Sequence, residues 1–120
     1  MKKILIVDDE EHIVRIIKDR LEAHKFDVIT AGNGEEALKK IDEGPDAIIL
    51  DIMMPVMDGF EVLRILKENK ATKDIPVIIL TVKGDNATEK KALDMGADEF
   101  IEKPFNLSRL AEKVMKLLNM

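Results

Sequence analysis

Lys3-Ile4-Leu5-Ile6-Val7-Asp8-Asp9 sets an unbroken apolar run, Ile4 to Val7, between a lysine and two acids, over strand length. A strand with one wet face alternates apolar and polar residues, so a run apolar at every position asks for burial on both faces. The construction recurs along the chain. Ala47-Ile48-Ile49-Leu50 also ends on an acid, Asp51; residues 27–30 and 77–80 are further short runs of strand length with apolar centres, and residues 99–102 a weaker one.

The segments between these runs, about residues 10–24, 35–41, 60–69, 86–95 and 107–118, carry apolar residues at helical spacing, most clearly Leu110, Val114, Leu117 and Leu118. Strand and helix therefore alternate five times. That order predicts an α/β fold, a doubly wound (βα)5 domain whose five-stranded parallel sheet is covered on both sides through right-handed crossovers. Asn33-Gly34, Gly44-Pro45, Asp58-Gly59, Gly84 and Gly96 punctuate the elements, and Asn106 stands where an N-cap would open the last helix. No linker, repeat or low-complexity stretch interrupts residues 1–120, and the expectation is one domain over that whole span.

Bulk properties narrow the function. The chain has no cysteine, which excludes disulfides, thiol catalysis and Cys-based metal sites. Its net charge of -5 with both signs mixed gives no reason to expect direct binding of nucleic acid or an anionic membrane. The amino-terminal apolar run is too short and too quickly acidic for a signal peptide, and no run reaches membrane-spanning length, so a cytoplasmic protein is expected. His12 and His24 have no partner at ligand spacing, and His24 falls near a helix end, where positive charge is favourable.

In open α/β sheets ligands bind beyond the carboxyl ends of the strands. The residues standing there are Asp8 and Asp9, Asp51, Thr81 and Lys103: three carboxylates, one hydroxyl and one ammonium on one edge. Gathered carboxylates repel one another and call for a cation, and this hard oxygen set suits Mg²⁺, with Mn²⁺ as an alternative. Lys103 and Thr81 would then meet phosphoryl oxygens. Each residue alone has an ordinary reading: Asp9 as N-cap of the first helix, Glu10 and Glu11 as its dipole-complementing first turn, Asp51 as a loop-opening acid, Thr81 as a strand residue, Lys103 as a solvated charge. Their coincidence on one sheet edge favours the functional reading.

The strings Val7-Asp8-Asp9-Glu10, Leu50-Asp51 through Met53-Met54-Pro55 to Asp58-Gly59, Leu80-Thr81, Gly96-Ala97-Asp98-Glu99-Phe100 and Lys103-Pro104-Phe105 resemble, in order and spacing, the response-regulator receiver domains of two-component signalling, chemotaxis regulators included. The resemblance covers the whole chain. It implies the flavodoxin-like strand order 2-1-3-4-5. It further implies that Asp51 takes a phosphoryl group from a sensor histidine kinase. Asp9 and Asp51 would bind Mg²⁺ directly, Asp8 would do so through water, and the Met53 backbone carbonyl would complete the protein's ligands. Thr81 and Lys103 would hold the phosphoryl group, Thr81 and Phe100 would form the switch behind an output surface around helix 4, strand 5 and helix 5, and the Lys103-Pro104 bond would be cis.

Two positions depart from the family pattern. Phe100 replaces a frequent tyrosine, which removes a phenolic hydrogen bond, and Val82 follows Thr81 where a small residue is common, which predicts crowding and slow self-dephosphorylation. In the first helix Ile16 lies off the stripe of Ile13, Ile17 and Leu21, on a flank with His12 and Asp19, and these three are the candidate kinase-docking residues. The output partner is left open. Arg109 and Lys113 stand where many transcription-factor receivers carry an acid and an arginine, so the expected state is a monomer or a weak phosphorylation-dependent dimer. An aspartyl-phosphate hydrolase would need a second acid where Met53 stands, a flavin site would place a phosphate against the acids of residues 8–11, and an inert interaction module would leave the acidic edge unused.

Overall fold

The computed structural model describes residues 1–120. Its elements run β1 (Lys3–Val7), α1 (Glu11–Ala23), β2 (Asp27–Ala31), α2 (Gly34–Lys40) with a 3₁₀ turn at Ile41–Glu43, β3 (Ala47–Leu50), α3 (Gly59–Glu68), β4 (Val77–Thr81), α4 (Asn86–Asp94), β5 (Glu99–Glu102) and α5 (Leu107–Leu117). The strands form one parallel sheet in the order β2-β1-β3-β4-β5, as expected. β2 and β4 each run one residue past the apolar run seen in sequence. Ala31 pairs with Val7 and Thr81 with Glu102, so the ladder takes in a buried alanine past Thr30 and a threonine past Leu80.

Why the runs are apolar throughout is plain from the packing. Successive side chains of a strand point to opposite faces, and here both faces are core. Leu5, Val7, Ile48, Leu50, Val77 and Ile79 pack with Ala37 of α2, Val62, Leu63 and Leu66 of α3, and Ala92 of α4. Ile4, Ile6, Ala47, Ile49, Ile78 and Leu80 pack with Ile17 and Leu21 of α1 and Leu110, Ala111 and Val114 of α5. Arg20 also ties α1 to α5 by donating to the Ser108 hydroxyl at 2.8 Å.

Four of the five α-helices begin on a side-chain cap. Asn33, Asp58, Asp85 and Asn106 accept from the backbone N–H of Glu36, Glu61, Thr88 and Arg109, which satisfies amides that the helix itself leaves free. The exception is α1. Its N-cap is Glu10, not Asp9, and the Glu10 side chain makes no capping bond.

Candidate functional site

The parallel register brings four strand ends together. The ladder runs one residue beyond the strands: Asp8 N–H donates to Ala31 at 3.1 Å, Asp51 N–H to Val7 at 2.9 Å, and Lys103 N–H to Thr81 at 2.8 Å. Backbone pairing, rather than loop conformation, therefore fixes where Asp8, Asp51 and Lys103 project. The Lys103 ammonium donates to Asp8 Oδ2 at 2.7 Å, to Glu10 Oε1 at 2.9 Å and to Asp51 Oδ2 at 3.4 Å. Asp51 Oδ1 accepts from Met53 N–H and Asp8 Oδ1 from Glu10 N–H, both at 2.9 Å.

Asp8, Asp9 and Asp51 each offer a carboxylate oxygen, all within 4.8 Å of one another. Asp8 and Asp51 are buried while Asp9 is exposed. Thr81 is fully buried at the end of β4, and its Oγ1 accepts from Lys83 N–H at 3.3 Å. Phe100 is half-buried in β5 opposite Ile79, packed against the core on the side of α2, α3 and α4. The Lys103-Pro104 peptide is cis. His12, Ile16 and Asp19 are all exposed on α1, Ile16 to 46 %.

Local geometry also presses α3 against the phosphoacceptor candidate. A Cβ at Gly59, the first residue of α3, would lie 2.4 Å from the Asp51 carbonyl oxygen and 2.5 Å from Ile52 Cα. Only glycine lets the helix start this close. In the loop between, Val56 is exposed with φ 71, and Met57 N–H donates to Pro55 O at 2.8 Å, a one-residue turn centred on a β-branched side chain.

Burial pushes the Asp51 carboxyl above its ordinary value; neighbouring Asp8 adds to this, and the hydrogen bond from Met53 N–H and the Lys103 charge only partly oppose it. Burial likewise works against the Lys103 ammonium, but hydrogen bonds to Asp8 and Glu10 and the attraction of Asp51 outweigh it and hold the group above its usual range. The hydrogen bond and charge of Lys103 pull Glu10 below the usual carboxylate value. Three carboxylates thus face one ammonium, with Asp9 beside two of them, and Asp51 remains under-compensated. Clustered hard oxygen donors with an unmet need for positive charge fit a small divalent cation such as Mg²⁺, which takes one or two carboxylates and keeps its other positions for water or phosphate.

Glu10 is the site residue that sequence reasoning missed. It reads there as a first-turn acid complementing the helix dipole, yet its side chain turns to Lys103. The available signal was its place next to the strand end, at an N-cap position for which glutamate is poorly suited.

The family model for the response regulator receiver domain matches residues 4–115. The chain belongs to this family. Among curated relatives, the alkaline phosphatase synthesis transcriptional regulatory protein PhoP of Bacillus subtilis is 44% identical over 118 residues, 98% of this chain and 48% of the relative. The transcriptional regulatory protein CpxR of Escherichia coli K12 is 38% identical over 98% of this chain and 50% of its own length. The chain thus spans about half the length of these curated relatives. Among solved structures, Vibrio cholerae chemotaxis protein CheY4 superposes with TM-score 0.91 at 32% identity, covering 98% of both chains. The Francisella response regulator 1452 receiver domain does so with TM-score 0.92 at 33% identity, covering 99% of this chain and 98% of that one. This receiver domain has no helix long and apolar enough to cross a membrane.

Proposed function

We propose that this receiver domain is a Mg²⁺-dependent phosphoacceptor switch that takes a phosphoryl group from the phosphohistidine of a sensor histidine kinase onto Asp51. A carboxylate oxygen of Asp51 attacks phosphorus in line. The P–N bond breaks, its electron pair stays on the imidazole, which takes up a proton, and the product is an acyl phosphate on Asp51. Phosphoryl transfer asks for positioning and charge neutralisation more than covalent help. Lys103 supplies a mobile ammonium for one phosphoryl oxygen, and the Thr81 hydroxyl turns to another. Asp9 and Asp51 would hold the metal directly, Asp8 through water and Met53 through its backbone carbonyl; when bound, the ion (Mg²⁺, or Mn²⁺ in its place) neutralises charge on the transferring group.

The switch follows from Thr81. Once its hydroxyl is drawn to the phosphoryl group, room opens behind it for the Phe100 ring, and the surface formed by α4, β5 and α5 changes for an output partner. With phenylalanine at this position the coupling runs through packing alone. His12, Ile16 and Asp19, with the exposed isoleucine at their centre, form the docking patch for the kinase. The domain acts as a cytoplasmic regulator, monomeric or weakly dimerising when phosphorylated, and assists its own phosphorylation and dephosphorylation rather than turning over a substrate.

The observation that carries this reading is the Lys103 ammonium seated between Asp8 and Asp51 at the strand ends, beside three carboxylates spaced for one cation. Incubation with a small acyl phosphate and Mg²⁺, followed by intact mass, tests it. Wild type should gain one phosphoryl group and Asp51→Asn none; continuous consumption of the donor, or no gain in wild type, would contradict it.

A further inference from the structure

We infer that Glu10 is a positioning residue that grips the Lys103 ammonium in the resting state and must release it before a phosphoryl group can be held. The inference rests on the phosphoacceptor reading above.

A lysine ammonium has three N–H donors and no acceptor. At Lys103 all three face carboxylates, those of Asp8, Glu10 and Asp51. An incoming phosphoryl oxygen therefore finds no free donor, and one of the three contacts has to open. Asp8 and Asp51 are 3% and 4% exposed at the side chain, whereas Glu10 is 44% exposed. A buried carboxylate that loses its partner is left without water, while Glu10 can rehydrate where it stands. The exchangeable contact is thus the one to Glu10.

The start of α1 adds an independent observation. Each of the other four α-helices spends its N-cap side chain on a backbone amide, and α1 alone does not. Its N-cap residue has a side chain too long for that bond and directs it to Lys103 instead. The chain leaves a cap unmade at the N-cap position whose carboxylate reaches the lysine. Helix α1 also bears the proposed docking patch, so a kinase seated on His12, Ile16 and Asp19 would lie against the first turn that Glu10 opens.

The test compares wild type with Glu10→Gln, Glu10→Asp and Glu11→Gln at saturating Mg²⁺, reading the rate of phosphoryl uptake from acetyl phosphate and the thermal midpoint. Glu10→Gln removes the charge. Glu10→Asp keeps the charge but is one methylene shorter, and it restores a favoured cap. Both should take up phosphate about three- to tenfold faster, between what an exposed ion pair and a charge-assisted hydrogen bond contribute. Glu10→Asp should also raise the thermal midpoint, because its side chain can cap α1. Glu11→Gln makes the same charge change away from Lys103 and should leave uptake near wild type. Unchanged or slower uptake in both Glu10 variants would overturn the inference, as would equal acceleration by Glu11→Gln, which would mark a general charge effect. Failure of wild type to gain a phosphoryl group at all would instead overturn the phosphoacceptor reading.

Discussion

Replacing Gly59 by alanine should slow phosphorylation out of proportion to its effect on stability. The new Cβ would sit 2.4 Å from the Asp51 carbonyl oxygen, 2.5 Å from Ile52 Cα and 2.8 Å from Ile52 Cγ2, where ordinary contact begins near 3.4 Å. The shortfall against the carbonyl is 3.4 less 2.4, about 1 Å, and two of the three obstructing atoms are backbone. Either α3 backs away or the Asp51 peptide moves. Overpacking of this kind costs about 1–3 kcal/mol, and alanine's helix propensity returns about 1 kcal/mol, so a net loss of roughly 0–2 kcal/mol is expected. A misplacement of about 1 Å at a reacting group can cost on the order of a hundredfold in rate. Urea unfolding would report the first quantity as a shifted midpoint at constant slope, and intact mass during acyl-phosphate incubation would report the second. Gly44→Ala is the matched control. Gly44 has φ 71 with nothing within 4 Å of the added Cβ, so that variant should lose about 1 kcal/mol with no change in uptake. Uptake by Gly59→Ala within about twofold of wild type, or equal slowing in Gly44→Ala, would refute the proposed strain on the Asp51 peptide.

At Val56, whose φ of 71 places a β-branched residue in left-handed backbone, substitution by glycine should raise stability. Relief of about 1–2 kcal/mol of strain against about 0.5–1 kcal/mol of added chain entropy predicts a higher urea midpoint, and a lower one would count against the strain. Asp51 makes a pH prediction. Its carboxyl stands above its ordinary value in the folded state, chiefly through burial, so its stabilising contribution is fully present below the unfolded value and is lost as pH rises through the folded one. With a metal chelator present, Asp51→Asn should therefore be the more stable protein at pH 7, with the advantage shrinking on acidification. A gap that widens toward acid would reverse the sign. Val82, 60% exposed beside Thr81, should hinder the attacking water, so that Val82→Ala shortens the lifetime of the phosphorylated form; an unchanged rate of phosphate release would defeat that reading.

The parts of this molecule legible in its sequence are those that a single physical demand writes into consecutive residues. Ile4 to Val7, Ala47 to Leu50 and Val77 to Leu80 had to be apolar throughout because helices cover both faces of the sheet, and that pattern marks both strand and architecture. Asp8, Asp51 and Lys103 stood out because they end such runs. Thr81 fell outside the predicted strands because backbone pairing carries on after the apolar pattern stops, and Ala31 because it follows the polar Thr30 although it is itself buried in the core. Glu10 was misread because its role depends on a lysine 93 positions away, which no local pattern records. Val56 left no trace either, since a left-handed valine contradicts its own propensity and is held in place by the turn around it. The strand order came from family resemblance, as periodicity specifies strands but not their neighbours.

The most direct test of the central claim is to locate the phosphoryl group. Protein incubated with acetyl phosphate and Mg²⁺ would be treated with borohydride, which reduces an aspartyl phosphate to homoserine, and the peptides sequenced by mass spectrometry. Homoserine is expected at position 51 alone, dependent on the divalent ion and much reduced in Lys103→Met. Modification at another carboxylate, or full labelling of Asp51 without the metal, would contradict it.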